Sequence, residues 1–170
     1  MTVLIQMHGE PGSGKTTLAR ALAPRVPAVH LAKDVVMTAI MKAHIPRDLA
    51  GPASYETLWD LSRALIDQGN SVIVDSPAFW PIIEERGRGV ARVMGAAYVM
   101  IETRCSDGAE VERRLRERAA LPTNPRERLD WLAVPGTSEP ARERLIVDST
   151  QSVEAMVAEA LAYVRSGAAA

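Results

Sequence analysis

Cysteine is almost missing: Cys105 stands alone in 170 residues. A single thiol excludes an internal disulfide and any metal site built on several cysteines, and it suits a reducing cytoplasm. Lysine is scarce as well, since Lys15, Lys33 and Lys42 are the only lysines among the 20 basic residues and arginine supplies the rest. Arginine makes the better bidentate phosphate contact, although genomic base composition gives the same bias. Surplus charge is absent at a formal net -1, so general polyanion binding is not encoded and any anion must be met by local charge. No apolar run reaches transmembrane length and no basic segment precedes the apolar start, so neither a membrane nor a secretory signal is expected. Internal repeats are lacking, and the three histidines, His8, His30 and His44, do not have metal-ligand spacing. Hydrophobic residues make up 47% of the chain, which excludes disorder, and the length suits one domain over residues 1–165 with a frayed tail at 166–170.

What is present begins at Gly9-Glu10-Pro11-Gly12-Ser13-Gly14-Lys15-Thr16, which fits the P-loop pattern G-x-x-x-x-G-K-[ST] at every constrained position. The flanks fit too. The apolar run 3–7 has strand length, and residues from Thr17 to about 23 favour a helix that Pro24 and Pro27 end. Glycines at 9, 12 and 14 let the backbone aim consecutive N–H groups at a polyphosphate, at the positive end of the helix that follows. Lys15 then reaches the β- and γ-phosphates, and the Thr16 hydroxyl binds Mg²⁺.

Strand-length runs alternate with helical patterns through most of the chain, the mark of a parallel sheet covered on both faces. Strands are predicted at 28–31, 71–75, 96–101 and 145–147. Helices are predicted at 35–43, 55–68, 81–94, 107–120 and 152–164, with loops at Pro46 and at Gly51-Pro52. Gly87 and Gly89 weaken or bend the helix at 81–94. Pro122, Pro125, Pro135 and Pro140 make 121–141 a loop with a short helix at 126–132, and 107–141 as a whole reads as a lid. The expected architecture is an α/β, three-layer α/β/α sandwich on a five-stranded parallel sheet of order 2-3-1-4-5.

A P-loop does not by itself separate a kinase from an ATPase or a switch. Asp75 ends the strand 71–75 and so stands at the carboxyl edge of the sheet, where a second carboxylate holds Mg²⁺; alternatively it only begins the turn through Ser76-Pro77. Asp34 takes the matching place after the strand 28–31, where a carboxylate can orient an acceptor hydroxyl and take its proton, or can cap the next helix. Arg114 and Arg118 lie four apart on one helix face, able to close over a triphosphate, whereas Arg113 and Arg116 point elsewhere. Glu-Arg pairs such as Glu110 with Arg114 offer a solvated helix as the other reading.

On these residues, together with Lys33-Asp34, Val72-Ile73-Val74-Asp75-Ser76 and Ile146-Val147-Asp148-Ser149-Thr150, the chain resembles the small P-loop kinases that group zeta toxins, chloramphenicol phosphotransferase and the polynucleotide kinase domain. The resemblance implies an ATP- and Mg²⁺-dependent phosphotransferase with Asp34 as acid/base. It also implies that Arg114 and Arg118 lie near adenine and phosphate, and that Asp148, Ser149 and Thr150 border the base. Thr17 extends the nucleotide site. Polynucleotide kinases carry an arginine three residues after the catalytic aspartate, and Met37 stands there in this chain. The mostly apolar helix after Asp34, with Phe79 and Trp80, suits a small, partly hydrophobic alcohol better than a nucleic acid. Met37 and Ser76 are expected at the acceptor, with Arg86 and Arg88 as possible cations. The protein is expected to be cytoplasmic, as a monomer or homodimer. A guanine-nucleotide switch would carry an Asn-Lys-x-Asp stretch, which the sequence lacks.

Overall fold

The computed structural model describes residues 1–117 and 143–167. Strand β1 (Val3–His8) is buried at all six positions, as a central parallel strand must be when helices cover both faces. Helix α1 (Lys15–Leu22) follows the P-loop, and a single 3₁₀ turn (Ala23–Arg25) ends it at the prolines. Strand β2 (Ala28–Ala32) passes directly into α2 (Lys33–Lys42). Next come α3 (Arg47–Asp67), β3 (Ser71–Asp75), α4 (Pro81–Val93), β4 (Ala97–Arg104), α5 (Gly108–Glu117), β5 (Leu145–Asp148) and α6 (Val153–Gly167). The five strands pair in parallel in the order β2-β3-β1-β4-β5, which is the P-loop NTPase α/β fold.

Alternation along β1 divides the core between the two faces. Val3, Ile5 and Met7 meet Leu18 and Leu22 of α1 and Met156 and Ala160 of α6, whereas Leu4 joins Leu58 and Trp59 of α3 and Val90 of α4. Gln6 is a fully buried polar residue on the second face. Its Oε1 accepts from the Tyr98 hydroxyl at 2.7 Å and its Nε2 donates to the Ile83 carbonyl at 3.3 Å, so the buried amide is satisfied.

Four elements differ from the sequence expectation. Helix α3 begins at Arg47 rather than at 55, and it carries Pro52 inside it. Burial of Ala50, Ser54 and Tyr55 outweighs the breaker, and Ser54 Oγ donates to the Gly51 carbonyl at 2.6 Å within that turn. Gly87 does not break α4. A Cβ there would lie 2.2 Å from Gln6 Oε1, so the glycine admits the Gln6–Tyr98 hydrogen bond beneath the helix. Strand β4 runs three residues beyond 101, because Glu102 and Thr103, although polar, are buried and paired. Ser166 and Gly167, expected in the frayed tail, continue α6, where Gly167 packs against Val99. The expected helix at 126–132, Arg118, most of the expected lid at 107–141 and the last three residues lie outside the described residues. Among the described residues no helix is long and apolar enough to cross a membrane.

Candidate active site

The parallel strands all end at one edge, and that edge collects many of the residues that the sequence singled out. At the end of β1, Gly9, Gly12 and Gly14 adopt φ of 130°, 82° and 92°, which only glycine accepts without strain. Space requires glycine as well. A Cβ on Gly9 would meet the Thr103 carbonyl at 2.3 Å, and one on Gly14 would meet Ser149 at 3.0 Å. Ser13 is buried, and its hydroxyl pairs with Thr103 Oγ1 at 2.8 Å behind the loop, so its share of the cradle is backbone alone. The Lys15 ammonium donates to the carbonyls of Gly9 (2.6 Å) and Glu10 (2.8 Å), which holds it across the mouth of the loop. Pro11, Gly12, Thr16 and the exposed Thr17 line the adjoining cleft.

Asp75 ends β3 and is 6% exposed. His30 Nε2 hydrogen bonds to its carboxylate at 3.1 Å, and the Thr16 hydroxyl lies beside it. Burial opposes ionisation, but His30, Thr16 and the Lys15 charge outweigh it and keep the carboxyl below its ordinary range. Thr16 and Asp75 therefore form the hard-oxygen pair that suits Mg²⁺, which keeps most of its waters and takes few protein ligands. His30 lacks metal-ligand spacing in the sequence, yet the structure bonds it to this carboxylate. β2 and β3 pair His30 with Ile73 and Ala32 with Asp75, so the period of two puts both side chains on the α1 face. That signal becomes readable once the register is known.

Helix α5 docks on the P-loop. Asp107 Oδ1 caps its start by accepting from the N–H groups of Ala109 and Glu110. Val111 and Leu115 approach Gly12 so closely that a Cβ there would sit 3.1 and 3.3 Å from them. Arg114 is the connector. Nη1 donates to the Gly12 carbonyl (3.2 Å) and to Ser149 Oγ (2.8 Å), Nη2 donates to the Ser149 carbonyl (2.8 Å), and Nε donates to Glu110 (2.8 Å). Arg113 is taken up by Glu110 and Glu117, and Arg116 by Glu112, so both point away as the spacing predicts. Ser149 is thus joined to the P-loop. Asp148 instead accepts from Ser106 Oγ (2.8 Å) and from the Thr150 N–H (3.0 Å), and those bonds hold its carboxyl below the usual range.

The cleft continues from the P-loop past the end of β3 to α2, α3 and α4, enclosing about 1340 Å³. Asp34 lines it from the second position of α2. It is not the helix cap, which is Ala32 and makes no side-chain cap bond. Met37 and Ser76, both buried, line the wall as expected. Tyr55 donates to the Pro77 carbonyl at 2.8 Å and stacks on Trp59; burial raises its phenol pKa, so it stays neutral. Lys33, Trp80 and Ile82 complete the wall. Phe79 departs from the expectation: it turns behind the P-loop to meet the His8 ring edge-on at 5.2 Å. Arg88 departs too, bound to Glu84 at 2.8 Å and lying over the Tyr98 ring. Arg86 does line the cleft, paired with Glu56 at 2.5 Å.

Solved structures of similar fold include a sugar kinase from Janibacter sp. HTCC2649, at 21% identity and a TM-score of 0.70 over 97% of this chain and 95% of that one. An APS kinase from Mycobacterium tuberculosis, in complex with AMPPNP and APS, aligns at 16% identity and 0.70 over 96% and 98%. A gluconokinase from Sinorhizobium meliloti 1021 aligns at 19% identity and 0.67 over 96% and 92%. None of the curated proteins matches the sequence. The family described as AAA domain matches residues 4–133, and the chain belongs to that family.

Proposed function

We propose that the protein is an ATP-dependent kinase that moves the γ-phosphoryl group to a hydroxyl of a small-molecule acceptor. The supporting observation is the single cleft that runs from the P-loop to Asp34 on α2. A nucleotide hydrolase needs room for water beyond the γ-phosphate, whereas this cleft opens there into a second half walled by Met37, Tyr55, Trp80 and Ile82. The similar folds that are sugar, APS and gluconate kinases by description agree with that reading. So does the resemblance to zeta toxins and chloramphenicol phosphotransferase.

In this reading the backbone of Gly9 to Thr16 cradles the phosphates, with Thr17 beside them. Ser149 borders the base with Asp148 and Thr150. The acceptor oxygen attacks the γ-phosphorus in line. As that O–P bond forms, the bond from phosphorus to the bridging oxygen of ADP breaks, ADP leaves with the electron pair, and the hydroxyl proton passes to Asp34. Lys15 and Arg114 neutralise charge on the transferring group, and Arg118 is assigned the same task from its four-residue spacing. The Thr16 hydroxyl and Asp75 carboxylate would hold Mg²⁺, which when bound screens the β- and γ-phosphate charge. Met37, Ser76 and Arg86 face the acceptor.

The test is a screen of small hydroxyl compounds, nucleosides and oligonucleotides with labelled ATP, on the wild type and on Asp34→Asn. Label on a small hydroxyl compound, lost in Asp34→Asn with ATP affinity retained, is the expected result. Label on oligonucleotides alone would overturn the small-molecule acceptor. Label on nothing, with equal ATP hydrolysis in both proteins, would overturn the kinase.

A further inference from the structure

Lys33 occupies an unusual position for an ammonium group. Its side chain is half-buried in the acceptor half of the cleft, its Nζ sits 5.0 Å from the centre of the Tyr55 ring, and its hydrogen bond goes to Met37 Sδ at 3.3 Å. Thioether sulfur is a weak acceptor and a ring face offers only quadrupole attraction. Among the described residues no oxygen takes a hydrogen bond from this nitrogen. The other charged groups of that half are differently placed. Arg86 is bound to Glu56, and Asp75 is held by His30. Arg47 adds positive charge facing Lys33, and Asp34, next in sequence, is the carboxylate that favours its charged form. Burial works against that charge more strongly and lowers the Lys33 pKa below its ordinary value. A half-buried cation whose hydrogen bond among the described residues goes to a sulfur pays desolvation that a bound oxyanion would return, with a charge-assisted hydrogen bond.

Granting the kinase reading of this cleft, we infer that the acceptor is an anionic hydroxyl compound whose oxyanion, a carboxylate or a phosphate ester, is bound by Lys33. Lys33 and Asp34 are neighbours on α2, so the oxyanion lies within a few bonds of the hydroxyl that Asp34 serves. Apolar surface also lines the acceptor half, at Val35, Trp80 and Ile82. It takes a hydrocarbon or aromatic body on the same molecule. Tyr55 fixes the ammonium from behind, and with its hydroxyl spent on Pro77 it does not compete for the ligand.

The experiment uses hydroxy-carboxylic acids and hydroxyalkyl phosphates, each beside its neutral amide or its free diol, with labelled ATP. The expected outcome is a preference of tenfold or more in kcat/KM for the anionic member of a pair. Lys33→Gln should remove that preference through a raised acceptor KM, with the ATP KM within twofold of wild type, and Lys33→Arg should retain most of it. Phosphates preferred over carboxylates, or the reverse, identifies which oxyanion is bound. Equal use of charged and neutral members by the wild type would overturn the inference. An ATP KM that rises in Lys33→Gln as much as the acceptor KM would overturn it too, because the cation then serves the donor. Should no compound be phosphorylated, the kinase reading fails separately, and calorimetric binding of the same acids to the wild type and to Lys33→Gln decides this one. Binding lost in the variant upholds the oxyanion site, and binding absent from both or equal in both overturns it.

Discussion

His30 Nε2 lies 3.1 Å from Asp75 Oδ2, a contact between neighbouring strands that holds the carboxylate beside Thr16. Groups that orient a metal ligand typically contribute about 10- to 100-fold in metal affinity. His30→Ala is therefore expected to raise the Mg²⁺ concentration for half-maximal turnover about tenfold while leaving ATP affinity measured without metal unchanged. A Mg²⁺ requirement identical to wild type, in a variant that melts at the same temperature, would show that the histidine serves packing only.

Arg114 joins three elements: its own helix α5, the P-loop at Gly12, and the loop after β5 at Ser149. Arg113, the adjacent residue, spends its guanidinium on exposed glutamates. Arg114→Ala should lower kcat by about 10²- to 10³-fold, the scale of a lost transition-state donor. Arg113→Ala should change it less than twofold, as exposed ion pairs contribute little. Steady-state kinetics on the two variants separates a catalytic latch from a generally charged helix, because equal losses would contradict the geometry.

Much of this layout is legible in the sequence, and particular residues show where legibility stops. The apolar runs announce the central strands β1, β3 and β4 because such a parallel strand is buried on both faces, whereas the edge strands β2 and β5 are only partly buried; the glycines of the P-loop announce their own backbone angles. The run rule fails at Glu102 and Thr103, which extend β4 because Arg104 and Arg144 pair with the carboxylate and Ser13 meets the hydroxyl. The breaker rule fails at Pro52, where tertiary burial prevails over a local cost. At the cleft, the places of Asp75 and Arg114 follow from strand end and helix spacing alone. The contacts of His30 and Lys33 do not, since each is made with a residue tens of positions away.

His8 is 3% exposed directly before the P-loop, and burial pushes its pKa from 6.5 down to about 4, with Lys15, Arg144 and Arg104 acting in the same direction and Glu102 against them. The folded state thus holds a neutral imidazole where the unfolded chain binds a proton below pH 6.5. This contribution to stability is complete above about pH 6.5 and is lost as the pH falls towards 4, by up to roughly 3 kcal/mol. Urea midpoints between pH 7 and pH 4 should fall more steeply for the wild type than for His8→Gln, which has no group to protonate. Parallel curves would mean that other groups carry the acid sensitivity.

Gly87 and Gly89 stand two residues apart in α4 and predict opposite outcomes. A Cβ on Gly89 meets nothing within 4 Å, so Gly89→Ala should stabilise by about 0.5–1 kcal/mol through helix propensity. A Cβ on Gly87 would strike Gln6 Oε1 at 2.2 Å and the Tyr98 ring at 3.1 Å. The Gln6 amide is fully buried, and moving it breaks hydrogen bonds to Tyr98 and Ile83 that no water replaces. That loss outweighs the propensity gain, and Gly87→Ala should destabilise by about 1–3 kcal/mol. Chemical denaturation of both variants checks the pair. A shift in the same direction would mean that α4 lifts from the sheet to admit the methyl group, whereas opposite shifts establish that Gly87 is the site where helix and sheet are locked together.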